Sequence, residues 1–335
     1  MLKSLPSHPL FYFTLFSGSL IAFSSSHWLF LWSGLELNLF SIIPLMINSS
    51  NSISLEASIK YFLIQLFSSI MLITSMMSLF MSSFAMSNMM MLFLFFMSMM
   101  TKLGMAPCHF WFPPVMAALS WPMCFILMTW QKLIPLFILM FTFSFFSLKI
   151  MFFVVILSSL IGGLGGLNQT QLRPLLAYSS ITHMSWILST ISISPLISLS
   201  YFSCYSLILF PLTSIVYLFN INSNNQLFNI FSSQKNFFLI FTISILSLGG
   251  LPPLFGFFPK WMTMFFLLSN NMNLLLLFLI LGSLLNLYFY LILIFPLYNF
   301  INFKFITLMK KSYTFFFFWV LILLMGIAPQ IMMCF

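Results

Sequence analysis

Apolar runs close to 20 residues long, separated by short polar stretches, follow one another along almost the whole chain. About 20 apolar residues on an α-helix match the hydrocarbon thickness of a bilayer. The pattern therefore predicts eleven membrane-crossing helices, over residues 8–24, 26–46, 56–82, 88–117, 120–146, 149–168, 172–192, 195–220, 236–268, 272–298 and 313–331. Within each run the apolar residues are continuous. Barrel strands would alternate over segments of roughly ten residues, so helices are preferred. The expectation is an all-α polytopic membrane protein forming a single domain over residues 1–335.

Two runs are interrupted in a way that ordinary membrane helices are not. One breaks at Thr101-Lys102-Leu103-Gly104-Met105-Ala106-Pro107, the other at Gly249-Gly250-Leu251-Pro252-Pro253. Glycine adds backbone freedom, while proline removes a donor and clashes with the preceding turn, so each break frees carbonyls at membrane depth. Irregular backbone there is tolerated only where it is buried in protein or lines a cavity. Paired broken helices in two halves of a chain point to an ion site in inverted-repeat transporters. The breaks fall in the fourth and ninth spans, five apart, so these spans enter the membrane from opposite sides. The pattern predicts inverted repeats over 8–146 and 149–298, each with one discontinuous helix, followed by a C-terminal helix over 313–331.

Composition sharpens the picture. The chain is 62% hydrophobic and 4% charged, with a mean hydropathy of +1.14, which no soluble core could absorb. Its only acidic residues are Glu36 and Glu56. Glu36, Lys102, Lys132 and Lys260 each fall mid-way along an apolar run. A charge near the centre of a membrane helix costs at least ~2.5 kcal/mol on insertion scales, so it faces protein interior or water and marks an ion or proton path. A structural ion pair is the alternative for Glu36, and it would need a buried cation. Lys102 at the first break and Lys132 on the next helix reach similar depth if the two pack antiparallel; snorkelling to a helix end is the alternative. A lysine can load and release a proton, which an arginine cannot do. Glu56 and Lys60 stand at i,i+4 in the first turn of their span, where an interfacial ion pair is natural, although Lys60 could also feed protons inward. His183, mid-way along its run, is a candidate relay or a satisfied interior histidine.

Other features exclude rather than assign. The net charge of +9 needs no nucleic-acid partner, because the chain offers no basic soluble face. Lys3, Arg173, Lys235, Lys304, Lys310 and Lys311 fall in loops on the N-terminal side and Lys149 on the other, which puts the N-terminus in the cytoplasm or matrix. Cys108, Cys124, Cys204 and Cys334 have no metal spacing, and His8, His27, His109 and His183 have no paired spacing for haem. Gly162-Gly163-Leu164-Gly165-Gly166 lies in an apolar helix with no strand before it, so it reads as a helix-packing surface and not as a nucleotide loop. No cleavable leader is expected. The abundance of Phe (47) and Met (27) beside a single Arg suggests an AT-rich code with extra Met codons, as in animal mitochondria.

Several segments together resemble a known family. They are Trp-Ser-Gly-Leu-Glu-Leu-Asn at 32–38, Glu-Ala-Ser-Ile-Lys-Tyr-Phe-Leu-Ile-Gln at 56–65, Lys-Leu-Gly-Met-Ala-Pro at 102–107 with His109-Phe110-Trp111, Gln-Lys-Leu-Ile-Pro at 131–135, Ala177 to Trp186, and Gly-Leu-Pro-Pro at 250–253 with Gly256 and Pro259-Lys260-Trp261. In this order and length they resemble chain 2 of NADH:ubiquinone oxidoreductase, respiratory complex I, in its short animal mitochondrial form. The resemblance implies an antiporter-like, proton-translocating subunit of the membrane arm in the mitochondrial inner membrane, with the N-terminus in the matrix and the C-terminus in the intermembrane space. It places the family's functional charges on Glu36, Lys102, Lys132 and Lys260. Its partners would be neighbouring antiporter-like and small membrane subunits and membrane lipids, in a hetero-oligomer. This chain would bind no cofactor, the FMN, iron–sulfur clusters and ubiquinone belonging to other subunits. Ser185, where the family pattern has glycine, and Cys108, where an aromatic is usual, depart from it.

The implied mechanism takes a proton from the matrix side, past Lys60, to Lys102, with Glu36 as the electrostatic switch, and on through Lys132 and His183 to Lys260. A free-standing cation/proton antiporter would use the same charges and broken helices. A purely structural linker would leave four mid-membrane charges without a purpose.

Overall fold

The computed structural model describes residues 8–47, 52–80, 85–142, 148–221, 226–227 and 235–303. The expected helix 313–331 lies outside the described residues, as do Lys3, Lys304, Lys310, Lys311 and Cys334. Contacts divide the chain into two units, Met1–Ser147 and Leu148–Phe335.

The first unit holds α1 (His8–Ser24), α2 (Trp28–Met46), α3 (Ser52–Phe80), α4 (Ala85–Leu103), α5 (Phe112–Ala118), α6 (Trp121–Met128) and α7 (Trp130–Thr142). Helices α1 and α2 form a hairpin that crosses backbone to backbone. A Cβ added at Gly34 would stand 2.7 Å from the Gly18 carbonyl oxygen and 2.8 Å from the Ala22 nitrogen. Small residues permit such an approach, and dispersion plus close packing then replaces the hydrophobic drive that lipid cannot supply. Helix α3 packs on α2, α4 and α5. Helix α4 stops where the sequence predicts a break. Gly104, at φ +68°, donates to the Thr101 carbonyl, and Met105 donates to that of Met100. These two bonds make a Schellman cap with glycine in the left-handed position that a Cβ would disfavour. The indole of Trp111 also donates to the Thr101 carbonyl at 3.1 Å, so the helix end is satisfied from the far side of the turn.

The expected span 120–146 is seen over Trp121–Thr142, with a local irregularity between the end of α6 at Met128 and the start of α7 at Trp130. Thr129 is distorted to φ −116°, ψ −74° while its N–H still bonds the Phe125 carbonyl. Two local causes coincide: the Thr129 hydroxyl bonds back to the Phe125 carbonyl at 2.7 Å, and Pro135 has no N–H for the Gln131 carbonyl.

The second unit holds α8 (Leu148–Gly166), α9 (Leu172–Ile191), α10 (Pro195–Leu218), α11 (Lys235–Gly249), α12 (Phe257–Ser269) and α13 (Asn273–Phe303). Helix α9 is its axis: every residue but Arg173 and Tyr178 is buried. The glycine run at the end of α8 is the packing surface that the sequence suggests. Gly162 and Gly165 face Thr182 and Tyr178 of α9, and Gly163 and Gly166 face Leu285 and Phe289 of α13. Helix α11 ends by the same cap as α4, with Gly250 at φ +81° donating to Ser247 and Leu251 to Leu246. Asn220 and Asn271, at φ 51° and 58°, cap α10 and α12 in the same way. Asparagine is the next residue after glycine to tolerate that conformation.

Six helical stretches of the described residues are long and apolar enough to cross a bilayer: Trp28–Met46, Ser52–Ser78, Trp121–Thr142, Leu148–Gly166, Pro195–Leu218 and Asn273–Pro296. The protein is thus an all-helical, multi-pass membrane protein. Met90–Leu103 and Phe237–Gly249, shorter apolar helices, are those that end at the two glycine turns.

The glycine contacts give a paired prediction. Gly34→Val is expected to destabilise the α1–α2 hairpin by about 2 kcal/mol or more, because the clash is with backbone. Gly249→Ala is expected to be tolerated, its nearest neighbours lying 3.7 Å from the new Cβ. Thermal denaturation of the mildly solubilised protein, followed by the amount remaining in solution, separates the two.

Candidate functional site

The charged residues that the sequence singles out mid-membrane are buried. Glu36 on α2 is 8% exposed, Lys102 on α4 8%, Lys132 on α7 2% and Lys260 on α12 3%. Such charges normally pair or find dense hydrogen bonding. Among the described residues, however, the one ion pair within 4 Å is Lys60 with Glu56. The buried lysines are held by other means.

In the first unit, Lys102 occupies the last turn of α4, where the helix dipole and end carbonyls favour a cation. The Glu36 carboxylate, also buried in this unit, forms no contact pair with it. Oε1 of Glu36 is buried with no hydrogen-bond donor among the described residues. The Lys132 ammonium sits 4.6 Å from the centre of the Phe112 ring, a cation–π contact made possible because α5 restarts the chain after the break. Lys102 and Lys132 line one water-sized cavity together with Tyr61, Gln65, Trp111, Phe112 and Gln131.

Two polar residues of this wall, Tyr61 and Gln131, were not singled out by the charge pattern, nor was Asn38 behind them. Gln131 donates to Asn38 Oδ1 and accepts from the Tyr61 hydroxyl, both at 3.4 Å, joining α7 to α2 and α3. The signal for them was present as uncharged polar side chains inside apolar runs, which membrane helices use as interhelical glue.

In the second unit, Lys260 reaches back to the end of α11. Its ammonium donates to the carbonyl of Gly249 at 2.9 Å and of Leu248 at 3.4 Å. Those carbonyls are the ones the Schellman turn leaves over, so the lysine completes the cap. Gly250 makes room as well as the turn: a Cβ there would lie 2.8 Å from Lys260 Cδ and Nζ. His183 lies on the buried axis helix, with Nδ1 3.1 Å from the Tyr201 hydroxyl and its ring 5.0 Å from that of Tyr205. Asn286 of α13 donates to Thr182, the residue before His183. Ser185, the departure from the family pattern, is fully buried and bonds back to the Thr182 carbonyl at 2.6 Å, so the helix absorbs the hydroxyl without disturbance.

Lys60 stands apart. It is ion-paired to Glu56 at 2.5 Å across one helical turn, and both side chains are more than half exposed. Its neighbour Tyr61, not Lys60, faces the cavity. Cys108 and His109 lie in the turn after α4, and the His109 ring rests on Phe110 with Nδ1 3.3 Å from the Pro107 carbonyl oxygen. Among the described residues no three His, Cys, Asp or Glu side chains come together as metal ligands.

The arrangement, buried proton-exchangeable cations around a small cavity beside a helix break, is suited to moving protons and not to covalent chemistry. Comparison with known proteins agrees in fold and sequence. The family model described as NADH:quinone oxidoreductase/Mrp antiporter, TM, matches residues 25–286. NADH-ubiquinone oxidoreductase chain 2 of Lumbricus terrestris is 42% identical over 279 residues, covering 83% of both chains. That of Anopheles gambiae is 41% identical over 291 residues, covering 85% of this chain and 84% of its own. Among solved structures, a chain of respiratory complex I from Thermus thermophilus with bound aureothin superposes with a TM-score of 0.78 at 20% identity, over 98% of this chain and 80% of that one. With three-quarters of the chain under the family model and two-fifths identity across most of its length, this chain belongs to the NADH:quinone oxidoreductase/Mrp antiporter transmembrane family, among the chain 2 proteins of NADH-ubiquinone oxidoreductase.

Proposed function

We propose that the chain is a proton-translocating membrane-arm subunit of NADH:ubiquinone oxidoreductase, multi-pass in the mitochondrial inner membrane. The observation that carries this reading is the pair of buried lysines, Lys102 and Lys132, on one cavity, with the buried Glu36 in the same unit.

The proton path runs from the matrix side to Lys102, whose occupancy follows the field of Glu36: an opposite charge nearby favours the ammonium, and its withdrawal releases the proton. Lys132 receives it across the cavity. The second unit supplies Lys260 as the exit lysine, with His183 as a relay before it. Lys60 belongs to the entry at the surface, a role that its exposed pairing with Glu56 makes secondary. The chain crosses the membrane eleven times, N-terminus in the matrix and C-terminus in the intermembrane space. In this reading α4 with α5, and α11 with α12, are the two halves of discontinuous helices, and residues 8–146 and 149–298 are inverted repeats of one antiporter-like domain.

Electron transfer lies elsewhere in the assembly. FMN, the iron–sulfur clusters and ubiquinone are held by other subunits, and this chain holds none of them. Its partners are the neighbouring antiporter-like and small membrane subunits, with lipid around the exposed apolar faces, where Phe13 (72%), Phe141 (80%) and Leu274 (68%) stand outward. Free-standing cation/proton exchange is the competing reading, since the same family model spans both kinds of protein.

The test starts with native membranes, mildly solubilised, separated on a native gel and stained for NADH oxidation. This chain is expected in the large NADH-oxidising band; a small band without that activity selects the exchanger. In the assembled enzyme, Lys102→Ala, Lys132→Ala and Lys260→Ala are each expected to lower proton pumping and coupled quinone reduction by at least about 10-fold, the lower range of acid–base effects. Lys60→Ala is expected to change turnover less than about 2-fold, as exposed pairs contribute little. Full turnover with Lys102→Ala in a normally assembled enzyme would remove the assignment. Gly250→Ala is expected to reproduce the loss seen with Lys260→Ala, because it displaces the ammonium without touching its charge.

A further inference from the structure

Lys102 and Lys132 share their cavity with Gln131, a residue that carries no charge and yet bridges two other helices. Its carboxamide donates to Asn38 on α2 and accepts from Tyr61 on α3, and its peptide neighbour is Lys132. It stands on a stretch of α7 that is loosened on both sides, by the turn at Thr129 and by Pro135. A side chain on such a stretch can be moved by its partners more easily than one in a continuous helix.

The partner on α2 is placed to move it. Leu35 and Leu39 line the cavity and so define the stripe of α2 that faces it. At 100° per residue, Glu36 lies about 80° round one flank of that stripe and Asn38 about 80° round the other. A rotation of α2 that carries Glu36 toward the lysine cavity therefore carries Asn38 away from it, and the reverse rotation exchanges them. Glu36 and Lys102 are both buried and form no contact ion pair, so any influence of the carboxylate on the lysine is through its field, whereas Asn38 acts on the Lys132 side through a hydrogen bond to Gln131.

We infer that Gln131 is a positioning residue that reads the rotation of α2 through Asn38 and sets the place of Lys132 in the cavity accordingly. Glu36 then controls Lys102 electrostatically, and the same helix controls Lys132 mechanically, in opposite sense. The proton is released by the first lysine as the second is brought to receive it. The inference rests on the proton path proposed above and adds to it a residue with no proton to give.

The experiment uses the assembled enzyme. Gln131→Met keeps the length of the side chain and removes both bonds. The expected result is a normal amount of assembled enzyme whose coupled NADH oxidation per complex falls about 3- to 10-fold, the range set by losing a neutral hydrogen bond. Asn38→Leu, which breaks only the bond between Asn38 and Gln131, is expected to give most of the same fall, and the double substitution no greater fall than Gln131→Met alone, because the Gln131–Asn38 link is common to both. Unchanged turnover per complex, with any loss confined to the amount assembled, would make Gln131 a brace and overturn the inference; so would additive losses from the two sites. Should Gln131→Met not assemble, Asn38→Leu breaks the same bond from the other helix and decides alone. Lys132→Ala in parallel separates the two levels. If it keeps full turnover, the proton path itself has failed, and if it loses turnover while Gln131→Met and Asn38→Leu keep theirs, only the role of Gln131 has failed.

Discussion

The site of this protein depends on one constraint: lysines buried inside apolar helices must be held there, and among the described residues neither Glu36 nor Glu56 forms a contact pair with Lys102 or Lys260. A contact ion pair would hold the charge firmly, and it would also hold the proton. Instead each lysine is met by a weaker and different device. Lys102 has a helix end and a distant carboxylate, Lys132 the face of Phe112, and Lys260 two carbonyls left over from a helix cap. All three devices depend on a chain that stops and restarts inside the apolar run.

The restart is built the same way in both units. A glycine in the left-handed conformation closes a Schellman turn at Gly104 and again at Gly250, and a buried lysine stands at the helix end so made. The lysine comes from opposite sides of the turn. Lys102 precedes its glycine by two residues and belongs to the helix it caps, whereas Lys260 follows its glycine by ten and folds back. Lys260 bonds the carbonyls that its turn leaves over, whereas Lys102 stands in the last turn of its helix, where the dipole favours a cation, so a helix end can meet a lysine from either side.

Much of this was legible in the sequence because the membrane makes the rules severe. Hydropathy placed the helices, since lipid admits little else, and the scarcity of charge made Glu36, Lys102, Lys132 and Lys260 conspicuous before any geometry was known. Glycine and proline marked both breaks. The interruption at Thr129 was not legible, because a threonine in a membrane helix usually bonds its own backbone without bending it, and here Pro135 six residues on adds to the effect. Nor were the bridges of Gln131 to Asn38 and Tyr61, of His183 to Tyr201, or of Asn286 to Thr182. These join residues from 18 to 104 positions apart, and a single chain carries no periodicity that pairs them.

The two glutamates show how little residue type decides alone. Glu56 and Lys60 are one helical turn apart, in contact and exposed, and as neighbours they cancel one another wherever the helix goes. Glu36 and Lys102 come from different helices, are buried, and stand apart. In water such a separated pair would be worth almost nothing. In a low-dielectric interior, attraction at a distance survives and varies with the position of the helices that carry it. A contact pair is either made or broken, whereas a field can be raised and lowered by a small helix movement. That is the property a chain needs if its protons are to be driven by events occurring in another subunit.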